Sequence, residues 1–309
     1  MRHTKKNPAP SNTSVAEQQG RIISSHGRHY MVELDDGSIR KCFPRGKKGG
    51  ATVGDYVIIT PQGEEGSIER ILERRNLLYR SDDMRSKQFA ANVDRLLIVV
   101  APEPLFSTDL AGRALVGAWS ADIEPIIILN KADLPSADMA RRQLAQFRNL
   151  GVPIIETNAM DAQATQNTLM PLLQGHSSLL LGQSAMGKST LLNALVPDAQ
   201  AATQEHSQAL GAGKHTTTAT RLYRLPGGGD LIDSPGFQAF GLQHLEAEDI
   251  VRGFPEFHDP ITHCRFYNCS HRHEPGCGVL TALERGEIAA ERHALYTRLL
   301  AENEARSNY

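Results

Sequence analysis

Long apolar runs are missing from this sequence of 309 residues. No stretch approaches the roughly 20 uninterrupted apolar residues that a membrane-spanning helix requires. The basic N-terminus is not followed by the apolar segment of a secretory signal. Apolar residues make up 40% and charged residues 22% of the chain, as in ordinary globular proteins. We therefore expect a soluble, cytoplasmic monomer without a membrane partner, in which residues 1–19 form a disordered tail.

Cysteine is also scarce, and its placement argues against a disulfide framework. Of four cysteines, Cys42 stands alone, whereas Cys264, Cys269 and Cys277 fall within fourteen positions that also hold histidines. Such a cluster favours a metal site and a reducing compartment.

Residues 20–82 are predicted to form a small β-barrel domain. Five short β-rich runs separated by turn signals, GRIISS, HYMVEL, SIRKCF, GDYVIIT and GSIERIL, are typical of the five-stranded oligonucleotide-binding (OB) fold. Residues 1–80 carry 14 Lys and Arg against 9 Asp and Glu, although the whole chain has a net charge of -2. The pattern predicts an RNA-binding surface on exposed loops, at Arg40, Lys41, Arg45, Lys47 and Lys48. Alternatively, these are only solvated loop charges.

The pattern of apolar residues changes in residues 83–245, which are predicted to form an α/β domain. Apolar runs without alternation are separated by helix-length segments, a pattern that indicates a parallel sheet covered on both faces. Residues 246–309 are predicted to form a mainly α-helical domain around the cysteine cluster, with a helix-forming stretch from Val279 to Ala305.

A glycine-rich loop at residues 182–190 is the strongest local motif. It follows the apolar run SSLLL and opens the helical run TLLNALV, so that backbone N–H groups and a helix N-terminus converge on phosphate. We expect Lys188 to reach the β- and γ-phosphates of a nucleotide and Ser189 to bind Mg²⁺. The predicted phosphate contacts are Gly182, Gln183, Ser184, Ala185, Met186, Gly187, Lys188, Ser189 and Thr190.

Two downstream segments are predicted to sense the γ-phosphate. Asp233 to Gly236 ends an apolar run, where the Asp233 carboxylate can face Mg²⁺ and the Gly236 amide can meet the phosphate. Between this motif and the glycine loop, residues 211–218 place hydroxyls at the position of a switch loop, and Thr217 is predicted to complete the Mg²⁺ shell. An ordinary polar loop is the alternative.

The tetrapeptide from Asn130 to Asp133, NKAD, indicates that the base is guanine. It directly follows an apolar run, and a carboxylate at Asp133 can accept from both N1–H and the 2-amino group of guanine. Asn130 and Lys131 are expected to brace the loop and cover the base. After the next apolar run, Asn158 and Ala159 offer a backbone N–H for guanine O6. An accidental NKAD match is the alternative.

The order of these motifs is reversed with respect to ordinary GTPases, in which the phosphate loop comes first. A parallel sheet tolerates such a circular permutation when its original termini are adjacent. The permutation places Asp233 to Gly236 directly before the C-terminal domain, so the nucleotide state is predicted to steer that domain.

The C-terminal cysteine cluster has the composition of a structural zinc site. Three thiols and one imidazole suit tetrahedral Zn²⁺ without an open position; the predicted ligands are Cys264, Cys269, His271 and Cys277. His263 and His273 flank the cluster and compete for the fourth position, and a cysteine cluster without metal is the alternative. In a region with few apolar residues, zinc is expected to provide much of the folding energy.

Taken together, these motifs resemble the ribosome small subunit-dependent GTPase A (RsgA/YjeQ) family. The resemblance runs from Gly20 over nearly the whole chain, through GDYV, AANVD, NKADL, GQSAMGKSTLLN, GKHTTT, DSPG and the zinc spacing. It implies hydrolysis of GTP to GDP, stimulated by the small (30S) ribosomal subunit, in late maturation of that subunit and with binding to its rRNA. The alternatives are an RNA-binding scaffold with incidental hydrolysis and an ATP-dependent enzyme, and the latter conflicts with Asp133.

Two positions bear on the resemblance. Ala185 stands where the family more usually has glycine, which tests whether the loop needs a positive φ there. Phe237 follows the DSPG motif where Ras-like GTPases place a water-orienting glutamine, so slow intrinsic turnover is expected. By resemblance, His215 is the candidate that positions the attacking water, beside Lys188 and Thr217.

Overall fold

The computed structural model describes residues 16–46, 50–81, 86–197, 199, 220–235 and 240–307. Several sequence predictions lie outside these residues, namely those made for Lys47, Lys48, His215, Thr217, Gly236 and Phe237. Among the helices of the described ranges, none has the length and apolar character needed to cross a membrane.

The N-terminal part forms a closed five-stranded barrel, as predicted. Its strands are β1 (Gln18–His26), β2 (His29–Leu34), β3 (Ile39–Pro44), β4 (Tyr56–Gln62) and β5 (Glu65–Ile71). The sheet runs β1-β2-β3-β5-β4, and β1 also pairs with β4, which closes the barrel. Alternate side chains point inward and are buried, among them Ile22, Val32 and Ile59.

The basic residues of this barrel differ from the prediction in their placement. Arg40 and Lys41 lie in β3 rather than in a loop, because the strand begins directly after the turn that precedes it. Arg40 donates to the backbone oxygen of Glu65, and Lys41 lies 3.2 Å from the Glu65 carboxylate. Arg45 pairs with Glu69. Part of the positive charge is therefore neutralised within the barrel itself.

A two-stranded hairpin connects the barrel to the next domain. It consists of β6 (Leu77–Ser81) and β7 (Ser86–Ala91), and it straddles the predicted domain boundary at residue 82. Leu78 and Phe89 are buried. The hairpin therefore contributes these two side chains to the hydrophobic core.

The α/β domain contains a six-stranded sheet. Its strands are β8 (Arg95–Val100), β9 (Glu124–Leu129), β10 (Ile154–Glu156), β11 (Ser177–Leu181), β12 (Arg221–Arg224) and β13 (Asp230–Asp233). The order is β10-β9-β8-β11-β13-β12, and all pairs are parallel except β12–β13. The helices are α1 (Thr108–Ser120), α2 (Ala137–Arg148), α3 (Ala162–Leu173) and α4 (Lys188–Leu195).

The barrel and the α/β domain share one continuous sheet, because β1 pairs with β12 at Ser24 and Arg221. Beside this seam, Arg21 of β1 forms an ion pair with Asp230 of β13, and both side chains are less than one tenth exposed. A second guanidinium nitrogen of Arg21 donates to Ser177 of β11 at 3.0 Å. The barrel is thus joined directly to the strands that lead into the candidate site.

The C-terminal part is mainly helical, as predicted. It contains α5 (Ala247–Arg252), α6 (His258–Ile261), α7 (Gly278–Glu284) and α8 (Ala290–Ser307). The helix-forming stretch is split between α7 and α8, since Gly286 adopts φ +73°, which ends a helix. Helix α8 packs closely on α1, where a Cβ at Gly112 would lie 2.6 Å from Leu295.

Candidate nucleotide site and metal centre

Four segments meet at the carboxyl ends of the parallel strands. The glycine loop at residues 182–187, called the P-loop below, follows β11, and residues 130–133, called the base loop, follow β9. Residues 157–159 follow β10, and Asp233 ends β13. This edge of an open α/β sheet is where such folds bind ligands.

The backbone of the P-loop has two residues in the left-handed region. Gly187 has φ +89° and Ala185 has φ +66°. A Cβ at Gly187 would lie 2.2 Å from Nδ2 of Asn130, so only glycine fits there. Position 185 does require a positive φ, and alanine adopts it at the cost of the strain that its Cβ introduces.

Lys188 is buried on the inner side of the P-loop. Its ammonium group donates to the backbone oxygens of Gly182 and Gln183 at 2.7 and 3.0 Å. Burial lowers the pKa of Lys188, and the charge of Asp233 opposes that shift. The lysine is therefore held at the centre of the loop, on the side where Asp233 lies.

Asn130 joins the base loop to two other segments. Its side chain is 2% exposed; Nδ2 donates to the Met186 backbone oxygen at 3.0 Å, and Oδ1 accepts from the Ala159 N–H at 3.0 Å. The N–H of Ala159, which the sequence predicts as a donor to guanine O6, therefore donates to Asn130 in this structure. The next N–H, that of Met160, donates to the Asn158 side chain.

Lys131 and Asp133 present their side chains at the mouth of the site. Lys131 has φ +58° and donates to the backbone oxygens of Ala185 at 3.0 Å and of Glu103 at 2.6 Å. Its side chain thus spans from the base loop to the P-loop. The Asp133 side chain is exposed, as a carboxylate that receives a base must be.

The segment from Ala101 to Ser107 also belongs to this site, and the sequence did not indicate it. The Glu103 carboxylate accepts from Ser136 in addition to the Lys131 bond at its backbone oxygen. The Ser107 N–H donates to the side-chain oxygen of Gln183 at 2.7 Å. This bridging segment carries no known motif; its only signal is its position after a buried strand.

The predicted Mg²⁺ ligands of the described residues lie at adjacent strand and helix ends. Asp233 is buried at the end of β13, and Ser189 is exposed in the first turn of α4. Ser234 fixes the turn after β13 by donating to the Leu180 backbone oxygen at 2.6 Å. A buried carboxylate and a hydroxyl beside a lysine form a donor set that suits Mg²⁺ with phosphate.

The cysteine cluster gathers four ligand atoms within 4.8 Å of one another, from Cys264, Cys269, His271 and Cys277. The Cys264 and Cys277 sulfurs lie 3.9 Å apart, and His271 Nδ1 lies 3.5 and 3.6 Å from them. Tetrahedral zinc requires S–S distances of about 3.8 Å and S–N distances of about 3.6 Å. The geometry fits zinc. His263 and His273 are exposed and lie outside the cluster.

Glu274 stabilises the segment from Cys264 to Cys277, called the metal loop below, and the sequence did not indicate this role. Its carboxylate accepts from the backbone N–H groups of Ser270, Arg272 and His273. Burial opposes the shift, but hydrogen bonds from the Ser270 hydroxyl and from the Ser270 and His273 N–H groups lower the pKa of Glu274. Helix α8 supports the same loop, because Tyr296 donates to the Ser270 backbone oxygen at 3.1 Å.

Known proteins are similar to this chain over most of its length. The profile of the RsgA GTPase family matches residues 71–243. The small ribosomal subunit biogenesis GTPase RsgA of Bordetella pertussis is 67% identical over 96% of this chain and 100% of its own. The crystal structure of YjeQ from Thermotoga maritima, 33% identical, superposes with a TM-score of 0.72 over 93% of this chain and 99% of its own. YloQ, described as a circularly permuted GTPase, is 29% identical with a TM-score of 0.69, over 96% and 99%.

Proposed function

Because the chain belongs to the RsgA family and is a circularly permuted GTPase, we propose that it hydrolyses GTP during biogenesis of the small ribosomal subunit. The relative from Bordetella pertussis carries that function in its name and aligns over its full length. The binding partners in this proposal are the small (30S) subunit with its rRNA, and GTP or GDP.

We assign the phosphates to the P-loop and to Lys188. The ammonium group now donates to two loop carbonyls, and phosphate oxygens would replace them as its partners, with the residue still buried. The backbone N–H groups from Gln183 to Thr190 supply further donors at the start of α4. Mg²⁺, held by Ser189 and Asp233, would neutralise charge between the β- and γ-phosphates.

We assign the base to Asp133, Asn130 and Lys131. The exposed Asp133 carboxylate receives the two guanine donors, which excludes adenine. The one observation that carries the proposal is the Asn130 side chain, which bonds the Met186 backbone oxygen and the Ala159 N–H at once. The base and phosphate loops thereby form a single site, although they are 56 residues apart in the chain.

Thr217, His215 and Gly236 lie outside the described residues, and their roles stay predictions: Thr217 completes the Mg²⁺ shell, His215 positions the attacking water and Gly236 meets the γ-phosphate. Full stimulation of a His215→Ala variant by the small subunit would remove the histidine from the mechanism.

The function is tested by GTP hydrolysis in the presence of purified small or large ribosomal subunits. We expect the small subunit alone to stimulate turnover strongly. We also expect tighter binding to the small subunit with a nonhydrolysable GTP analogue than with GDP. Equal stimulation by both subunits, or equal affinity in both nucleotide states, would contradict the proposal.

We further propose that Cys264, Cys269, His271 and Cys277 hold one structural zinc ion. Its four positions are all taken by protein ligands, so the ion supplies folding energy rather than catalysis. Metal analysis of the purified protein should give one zinc per chain, and a His271→Ala variant should lower both zinc content and melting temperature. Full zinc occupancy in that variant would exclude His271 as the fourth ligand.

A further inference from the structure

The metal loop presents two aromatic rings to solvent, one in part and one fully. Tyr267 is 103% exposed and Phe266 is 41% exposed. Tyr267 is the most exposed of the large hydrophobic side chains in the part of the chain that the structure describes. Arg265 precedes them, with its guanidinium carbon 5.4 Å from the centre of the Phe266 ring. We call Arg265, Phe266 and Tyr267 the aromatic tip.

The backbone that carries the aromatic tip is held at both ends. Cys264 and Cys269 bracket it, and both belong to the cluster of four ligand atoms. The Arg265 N–H donates to the Gly276 backbone oxygen at 2.9 Å, and the Cys269 N–H donates to that of Phe266 at 3.3 Å. Because the loop is already ordered, a partner that contacts the rings loses little backbone entropy on binding.

The surroundings of the rings are polar and partly cationic. His263, Asn268 and His273 are exposed near them in the sequence, as is Arg265 itself. A hydrophobic protein interface needs a contiguous apolar patch of several hundred square ångströms, whereas two neighbouring rings provide much less. An exposed tyrosine ring close in the sequence to an exposed guanidinium is instead a combination that can stack on a base and contact its phosphate.

We propose that the aromatic tip is a stacking platform for an unpaired nucleobase of RNA, with Tyr267 as the stacking ring and Arg265 as the phosphate contact. This inference rests on the proposed function, since the small ribosomal subunit is the RNA-bearing partner. It adds to that function a contact that reads single-stranded RNA and does not involve the nucleotide site. Double-stranded RNA offers no such base face, because its bases are stacked on one another.

The test compares the affinities of four proteins for purified small subunits over a series of salt concentrations. Tyr267→Ala should bind about tenfold more weakly, as expected for the loss of one stacked base, with the salt dependence unchanged. Tyr267→Trp should bind at least as tightly as the wild type. The matched control is Met139→Ala, which removes a side chain that is 49% exposed on α2, and it should bind like the wild type.

Arg265→Gln distinguishes the contribution of the phosphate contact from that of the stacking ring. Losing one phosphate contact should reduce the slope of log affinity against log salt by about one. Tyr267→Ala should leave that slope unchanged. Zinc content and the intrinsic GTPase rate, measured on every variant, establish that the fold is intact. An Arg265→Gln protein with an unchanged slope would overturn the assignment of Arg265.

A fluorescence measurement identifies what the ring touches. The chain has one tryptophan, Trp119, so the difference between Tyr267→Trp and wild type reports the new ring. We expect small subunits, and single-stranded RNA at higher concentration, to quench that signal by stacking. Quenching by ribosomal proteins stripped of RNA, and not by RNA, would overturn the inference in favour of a protein partner.

Different results would contradict the stacking platform and the proposed function. Wild-type binding to small subunits with an unaffected Tyr267→Ala variant would overturn the stacking platform and leave the proposed function intact. Failure of the wild type itself to bind small subunits would overturn the proposed function.

Discussion

At the scale of single residues, Ala185 shows how the P-loop tolerates a poor fit. An alanine in the left-handed region destabilises the folded state by about 1–2 kcal/mol, whereas glycine enters that region without strain. Glycine also gives the unfolded chain more conformational freedom, which lowers the free energy of the unfolded state by about 0.4–1 kcal/mol. We therefore expect Ala185→Gly to raise the free energy of unfolding by roughly 0.5–1 kcal/mol, as measured by urea denaturation.

Gly187→Ala is the matched opposite of that change. Gly187 also has a positive φ, but a Cβ there would lie 2.2 Å from Nδ2 of Asn130. The substitution should therefore destabilise the protein and weaken GDP binding, because Asn130 must move away from the P-loop. Effects of equal size and opposite sign for the two changes, each relative to wild type, would show that φ and not the Asn130 contact decides the tolerance.

The site residues that belong to compact motifs could be predicted from the sequence. Glu103, Glu274 and the side-chain role of Gln183 could not. Each of these acts through a backbone group or a partner distant in the sequence: Gln183 accepts from the N–H of Ser107, 76 residues away. A motif is a short run with fixed spacing, and such contacts leave no trace in spacing.

At the scale of elements, the seam between the barrel and the α/β domain rests on Asp230. Its carboxylate receives two arginines, the buried Arg21 and Arg224, whose side chain is 52% exposed. Removing one partner of a buried ion pair costs about 3–5 kcal/mol, whereas an exposed pair contributes about 0.2–1 kcal/mol. The two arginines thus provide a comparison at one carboxylate.

We expect Arg21→Met to lower the free energy of unfolding by about 3 kcal/mol and Arg224→Met by about 1 kcal/mol or less. Urea denaturation followed by circular dichroism measures both. Similar costs would mean that the seam is held by strand pairing between β1 and β12 and not by the buried charge pair.

The helices and strands were largely predictable from the sequence, but the contacts that join them were not. The five barrel strands and the parallel sheet follow from local alternation and apolar runs. The pairing of β1 with β12 and the hairpin of β6 and β7 do not, because they depend on which surfaces meet after folding. Helix α8 was predicted as one stretch with α7, and Gly286 separates them.

At the scale of the whole molecule, helix α1 lies between the nucleotide site and the metal centre. Its N-terminal cap, Ser107, is bonded to Gln183 of the P-loop. Along its length, Asp109 pairs with Arg298 and Arg113 with Glu302, both on α8. Helix α8 in turn supports the metal loop through Tyr296. A shift of the P-loop can therefore reach the C-terminal domain through one rigid helix.

A second connection follows the segment after Asp233. Phe240 and Leu242 are buried against α1, since a Cβ at Gly117 would lie 2.9 and 3.2 Å from their side chains. Asn303 of α8 donates to the Leu245 backbone oxygen at 2.7 Å. The sequence predicted steering of the C-terminal domain through chain order alone; these contacts give that prediction a physical route, and α1 adds another.

Trp119 reports on the first of these routes. It lies in the last turn of α1, and the guanidinium carbon of Arg292 of α8 lies 5.7 Å from its ring centre. In the proposed site Lys188 meets the β-phosphate in both nucleotide states but the γ-phosphate only with GTP, so its bond to the Gln183 backbone oxygen should differ between the states, and the Gln183 side chain should pass that difference to Ser107. We therefore expect Trp119 fluorescence to differ between the complexes with GDP and with a nonhydrolysable GTP analogue.

Gln183→Met keeps the length of the side chain and removes the oxygen that accepts from Ser107, so it should abolish most of that difference while the protein still binds GDP. The matched control is Gln146→Met, which loses only a 3.0 Å bond to Gln143 within α2 and should keep the full difference. If Gln183→Met kept it as well, the nucleotide signal would travel through the segment after Asp233, since that segment reaches α1 and α8 without the P-loop.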